Sequence, residues 1–88
     1  MTQMATYKIL YWQDIPSQIR VEDEQGGDVS IELPPKFAEK IDQAATQQGL
    51  LNSDDYLEHW KWSDEQDRPG TAQQVADALQ AELEAQWR

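Results

Sequence analysis

The chain has 88 residues, and 17 acidic against 7 basic side chains give it a formal net charge of -10. Charge of this sign repels nucleic-acid phosphates and anionic lipid surfaces, which argues against both as direct partners. Because the chain has no cysteine, it can form neither a disulfide nor a thiolate zinc site, and a single core must come from packing. We expect one domain over residues 1–88, with an ordered core over about residues 5–87.

The amino-terminal residues carry neither a basic cluster nor an apolar run typical of a signal peptide. No stretch approaches the roughly 20 apolar residues that a transmembrane helix requires. The lack of cysteine is typical of a reducing compartment. We therefore expect a cytoplasmic protein without membrane insertion.

The first third of the chain has the pattern of an antiparallel sheet. Residues 6–12 are rich in aromatic and β-branched side chains and predict the first strand, in which Trp12 lies on the face opposite Ile9. Residues 18–22 and 28–33 alternate polar with apolar side chains and flank a loop that contains two glycines. They predict a hairpin.

Helical periodicity and capping signals predict two long helices and a short one. The first helix should run over about residues 35–48 and stop at Gly49, after which Leu50 and Leu51 return the chain to the core. A short helix should follow Ser53. The last helix should run over about residues 71–86, beginning with a capping box formed by Thr71 and Gln74.

The segment from His59 to Ser63 fits two structures. Alternation of Trp60 and Trp62 with polar residues predicts a fourth strand, whereas helical spacing between Leu57 and Trp60 would continue the short helix. Residues 64–70 predict a polar turn. The predicted fold is α+β: a small antiparallel sheet of three or four strands packed against two or three helices, in the order β-β-β-α-α-(β)-α.

Residue types that carry catalysis or bind metal ions are scarce. His59 is the single histidine, and no nucleophile motif accompanies it. The acidic loop at residues 23–28 lacks the ligand spacing of an EF-hand, and its glycines lack a phosphate-binding pattern. The sequence therefore predicts no enzyme, no cofactor and no metal site.

The unusual feature of the sequence is its supply of aromatic side chains. Tryptophan and tyrosine are enriched in interface hot spots, but a small domain without disulfides also needs large rings for its core, so both roles stay open. Alternation predicts that Trp12 is more exposed than the core residues, and the polar turn after Trp62 predicts the same for that ring. Asp14 stands at a corner before a proline, as a structural residue or part of a binding edge. The candidate partner-binding residues are Trp12, Asp14, Trp60 and Trp62.

One run, Tyr11-Trp12-Gln13-Asp14-Ile15-Pro16-Ser17-Gln18, resembles a small bacterial family labelled the virulence factor domain. Further similarity lies at Leu33-Pro34, Phe37, Ile41–Ala45, Tyr56–Trp60 and Val75–Leu79. Members of that family occur alone and as a domain of a longer helical-repeat protein, conserved virulence factor C. The resemblance implies an appended interaction module and supplies no catalytic residues.

Two functions are compatible with these patterns. The first is a non-enzymatic protein-interaction module of a bacterial cell, which associates with a protein partner or with itself. The alternative is a small-molecule-binding or accessory subunit of a larger enzyme complex, with an aromatic pocket lined by Trp12, Trp60 or Trp62.

Overall fold

In the computed structural model, which describes residues 3–50 and 53–87, the chain forms five strands and three helices in the order β-β-β-α-α-β-β-α. The strands are Met4–Trp12 (β1), Ile15–Asp23 (β2), Asp28–Glu32 (β3), Trp60–Trp62 (β4) and Gln66–Pro69 (β5). The helices are Pro35–Gln47 (α1), Asp54–Glu58 (α2) and Ala72–Gln86 (α3). The predicted α+β class is confirmed, with one strand more than expected.

Every pairing in the sheet is antiparallel. Strands β3, β2 and β1 lie side by side in that order, and β1 carries both β4 and β5 on its other side. Strand β4 pairs with residues 10–12 of β1, and β5 pairs with residues 4–7. Strand β1 is therefore the one to which the two halves of the chain both attach.

Strand β5 corrects the prediction of a polar turn at residues 64–70. Its side chains are mostly exposed, so an alternation of polar with apolar residues is absent and periodicity could not reveal it. Two hydrogen bonds between side chains join it to β1. The Thr6 hydroxyl donates to Asp67 Oδ1 at 2.8 Å, and the Tyr7 hydroxyl donates to Gln66 Oε1 at 2.9 Å.

The segment that fitted two structures is a strand. Helix α2 ends at Glu58, His59 caps it, and β4 begins at Trp60. Ser53 precedes α2 as predicted, but its hydroxyl donates to the Leu50 carbonyl rather than capping the helix. The sequence alone could not decide between strand and helix for Trp60–Trp62, because three residues are too few to show a period.

One face of the sheet and the two long helices enclose the core. The alternate β2 residues Ile19 and Val21 are buried, whereas Arg20 and Glu22 between them are exposed. Helical spacing predicted the buried positions of the long helices: Phe37, Ile41 and Ala45 in α1, and Ala72, Val75, Ala76, Leu79 and Leu83 in α3. Ala44, which the same spacing included, is only partly buried.

Both long helices begin and end where their capping signals predicted. Helix α1 has Pro35 in its first turn, and Gly49 after it takes a φ of +72°, a left-handed conformation that glycine adopts without strain. The capping box of α3 is complete, since Thr71 Oγ1 accepts from the Gln74 amide and the Gln74 side chain accepts from the Thr71 amide. Leu50 packs against the core, and Leu51 lies outside the described residues.

Asp23 joins the β2–β3 loop to the start of α3. Its Oδ1 accepts from the backbone amides of Gln25 and Gly27, at 3.0 and 2.7 Å, and its Oδ2 accepts from that of Ala72 at 3.0 Å. These bonds, first that from Ala72, hold the pKa of the Asp23 carboxyl below its ordinary value. Asp23 therefore adds a distant cap to a helix that already has its own capping box.

Asp23→Asn should lower the urea midpoint of unfolding at pH 7, because the carboxylate loses its charge and part of its capacity to accept hydrogen bonds. The pKa of the Asp23 carboxyl is depressed in the folded state. The stability that its charged form contributes is therefore fully present above the ordinary pKa of 3.8 and is lost as pH falls through the pKa of the folded state. The difference in urea midpoint between the Asp23 variant and the wild type should thus be smaller at about pH 2.5 than at pH 7. Glu24→Gln, at the exposed neighbouring position, should have the same urea midpoint as the wild type at pH 7. An equal effect of both substitutions would contradict the assigned role of Asp23.

Candidate functional site

Trp12 is buried, which corrects the prediction that it is exposed. Its exposed fraction is 0%. The ring lies 5.6 Å from that of Tyr56 and 5.5 Å from that of His59, between centroids, and its Nε1 donates to the Tyr56 carbonyl at 2.8 Å. Alternation placed Trp12 opposite Ile9, but the two residues belong to one core cluster, and α2 with the residue that follows it lies against the Trp12 ring. Trp12 is therefore a core residue and offers no surface to a partner.

The two tryptophans of β4 lie on the same face as Trp12. Trp60 is paired with Trp12 across the strands and is half-buried, with its ring 6.2 Å from that of Tyr56. Trp62 is paired with Leu10 and is 41% exposed, which confirms the exposure predicted for it. The Nζ of Lys8 lies 4.8 Å from the centroid of the Trp62 ring, a cation–π contact.

Asp14 lies in the turn between β1 and β2, at an exposed position. The residue before it, Gln13, has a φ of +56°, and the Gln13 amide donates to the His59 carbonyl at 3.1 Å. Pro16 belongs to β2, where it is buried opposite Tyr11. The four candidate residues consequently do not form one surface: Trp12 is inside, Asp14 is at the tip of the hairpin, and Trp60 and Trp62 follow each other along β4.

The exposed face around Trp62 is formed by alternate residues of neighbouring strands, and we call it the open face. Its members are Thr6, Lys8 and Leu10 of β1, Arg20 and Glu22 of β2, and Trp62 of β4. The guanidinium of Arg20 lies 3.7 Å from the Glu22 carboxylate and 3.6 Å from that of Asp28. Both cationic side chains of this face thus already have partners within the domain.

Two adjoining grooves run along the open face beside the first half of β1. One, of about 230 Å³, is lined by residues that include Lys8 and Arg20. The other, of about 320 Å³, is lined by Met4, Thr6 and the acidic residues Glu22, Asp23, Glu24, Glu65 and Asp67. Neither groove is lined by a tryptophan, so the expected aromatic pocket does not coincide with either of them.

Sequence reasoning did not find these grooves. Their carboxylates come from residues 22–24 and 65–67, which meet because β2 and β5 both lie beside β1. Since β5 was expected to be a turn, the second group could not be placed. The signals in the sequence are the runs Glu22-Asp23-Glu24 and Asp64-Glu65-Gln66-Asp67, which show acidity but not that the two runs meet.

Chemistry based on a metal ion has no support in residues 3–50 and 53–87, where no group of three or more His, Cys, Asp or Glu side chains could hold one. None of the helices in these ranges has the length and apolar character that crossing a membrane requires.

A protein-family model described as a virulence factor matches residues 10–88 of the chain. The chain belongs to the virulence factor family. This match confirms the resemblance found in the sequence, over nearly the whole chain. No curated protein and no solved structure matches the chain. Because the name of the virulence factor family specifies neither a reaction nor a ligand, the function has to be argued from the surface of the domain.

Proposed function

We propose that this member of the virulence factor family is a non-enzymatic protein-interaction module of the bacterial cytoplasm, and that it binds a protein partner through the open face. The observation that carries the proposal is the exposure of Trp62 on a sheet face lined by hydrogen-bonding and charged groups. An exposed aromatic anchor within a polar rim is the usual anatomy of a binding hot spot.

The contrast between Trp12 and Trp62 supports this choice of surface. The same small domain encloses Trp12 completely but leaves 41% of Trp62 in water. Leu57, in α2, is the other large apolar side chain that is exposed among the described residues, at 67%. Both lie within a six-residue stretch, so the apolar exposure is concentrated in one part of the chain.

The Lys8 contact favours Trp62 as an anchor that is already in place before binding. A cation over one side of the indole restricts the ring, and a side chain that is held in its bound orientation loses less entropy on association. The alternative function, binding of a small molecule between tryptophans, stays a prediction, since neither of the two grooves contains such rings.

Trp62→Ala should abolish or strongly weaken association with the partner while leaving the fold intact. Hot-spot truncation typically costs 2 kcal/mol or more of binding free energy, which is roughly a thirtyfold loss of affinity. Loss of a half-exposed ring and one exposed cation–π contact should change the free energy of unfolding by only about 1 kcal/mol. Tagged protein expressed in the native cell, affinity capture and quantitative mass spectrometry measure the first effect, and urea unfolding measures the second.

Gln47→Ala, at an exposed position of α1, serves as the control and should capture the same partners as the wild type. The proposal fails if the Trp62 variant retains the partners of the wild type, or if the wild type captures none and has a monomeric mass in solution.

A further inference from the structure

We infer that the occupant of the open face is an extended, Lys- or Arg-rich segment of a partner protein, which packs on Trp62, follows the first groove and lays its cationic side chains along the second. This inference rests on the proposed function and adds the chemistry of the partner.

The shape of the surface favours an extended segment. The two grooves share Thr6, Glu22 and Glu65 in their linings, so they form one continuous depression. From Leu10, which is paired with Trp62, the open face continues along β1 through Lys8 and Thr6. The six-residue distance from Leu10 to Met4 in a strand is about 20 Å, which matches about six residues of extended peptide.

The charges of the surface select a cationic occupant. Glu24 and Glu65 line the second groove, and among residues 3–50 and 53–87 neither carboxylate has a lysine or arginine within ion-pair distance. Lys8 and Arg20, in contrast, are engaged with Trp62 and with Glu22 and Asp28. An incoming cation would therefore meet free negative charge, in the field of a chain whose net charge is -10.

The remaining carboxylates of the second groove are occupied within the domain. Asp23 accepts three backbone hydrogen bonds, and Asp67 accepts from Thr6. Glu24 and Glu65 are thus the side chains whose removal reports on binding without disturbing internal contacts. Trp62 adds a ring on which an arginine of the partner can stack in the manner that Lys8 does.

The same charges disfavour a second copy of this chain as the occupant. Two copies would each bring a net charge of -10 to the contact. Juxtaposed like charges oppose association, and the effect is strongest at low salt. A partner of opposite charge has no such penalty.

The test uses a fluorescein-labelled octapeptide that alternates arginine with alanine, and a matched peptide with glutamate in place of arginine. Fluorescence anisotropy is measured with wild-type protein, with Glu24→Gln/Glu65→Gln, and with Glu39→Gln/Asp42→Asn. The last variant removes the same charge from exposed positions of α1 and is the control for net charge. Trp62→Ala is measured alongside.

The arginine peptide should bind the wild type, and the groove variant should bind it roughly tenfold more weakly, whereas the α1 variant should lose less than about twofold. Trp62→Ala should also bind it more weakly. Raising NaCl from about 50 to about 300 mM should weaken wild-type binding, and the glutamate peptide should not bind. Equal losses for the groove and α1 variants, or no binding of the arginine peptide, overturn the inference, as does a dimeric mass at low salt.

Failure here can be distinguished from failure of the proposed function. If the peptide results are negative but Trp62→Ala still loses the native partners, the surface is an interaction site whose occupant is not cationic. If Trp62→Ala keeps those partners, the interaction surface itself has been wrongly placed.

Discussion

Trp12→Ala should lower the free energy of unfolding by about 3 to 5 kcal/mol, the usual cost of truncating a buried large aromatic residue. The ring is fully enclosed, contacts Tyr56 and His59, and donates a hydrogen bond to the Tyr56 carbonyl. A domain of this size is typically stable by about 5 to 10 kcal/mol, so the loss would take up much of the total. Urea unfolding followed by far-UV circular dichroism measures it.

Two further variants show which part of the Trp12 contact matters. Trp12→Phe keeps a ring but removes the indole N–H, so it should cost about 1 to 3 kcal/mol from the unpaired carbonyl and the lost volume. Trp62→Ala, which removes the same side chain from an exposed position, should cost about 1 kcal/mol. Equal destabilisation by the two alanine variants would mean that Trp12 is not enclosed as described.

Leu79→Asp should prevent folding. Leu79 is 5% exposed and lies in the buried stripe of α3, with Val75, Ala76 and Leu83. An unpaired carboxylate at this position would have no counterion in the apolar core, and the cost of several kcal/mol is comparable with the stability of the whole domain. Far-UV circular dichroism and a proton NMR spectrum would show an unfolded chain at 25 °C.

Ala81→Asp is the matched control for this change, because it introduces the same residue on the exposed side of the same helix. Only the helix propensity differs there, by about 0.7 kcal/mol, so the control should remain folded. A folded Leu79 variant with a dispersed spectrum would show that α3 packs through another face.

The helices could be predicted from the sequence because their signals are local. Gly49, the capping box at Thr71 and Gln74, and the apolar spacing each act over one or two turns, and tertiary structure did not change them. Strand β5 could not be predicted, since its polar residues are strand-like only by virtue of pairing with β1. The two strands that pair here are about sixty residues apart in the chain, and such a distant pairing leaves no periodic pattern in the sequence of β5.

The candidate site was predictable only where its signal is local. The polar turn after Trp62 correctly predicted that this ring is exposed, whereas alternation predicted exposure for Trp12, which is fully buried. Whether a sheet face is open depends on what lies over it, and a five-residue helix covers it at Trp12 but leaves Trp62 exposed. The grooves likewise depend on contacts between distant parts of the chain, since Glu24 and Glu65 come together only in the folded sheet.

The two sides of strand β1 acquire their neighbouring strands at very different times during synthesis. Its pairing with β2 requires only a hairpin, whereas Thr6 meets Asp67 across 61 residues of chain and Ile9 meets Ser63 across 54. At translation rates of 5–20 residues per second, the side of β1 that receives β5 stays unpaired for about 3 to 12 s. Its backbone donors and acceptors can pair with other chains throughout that interval. The many carboxylates of the chain would then act before folding is complete, by keeping nascent molecules apart.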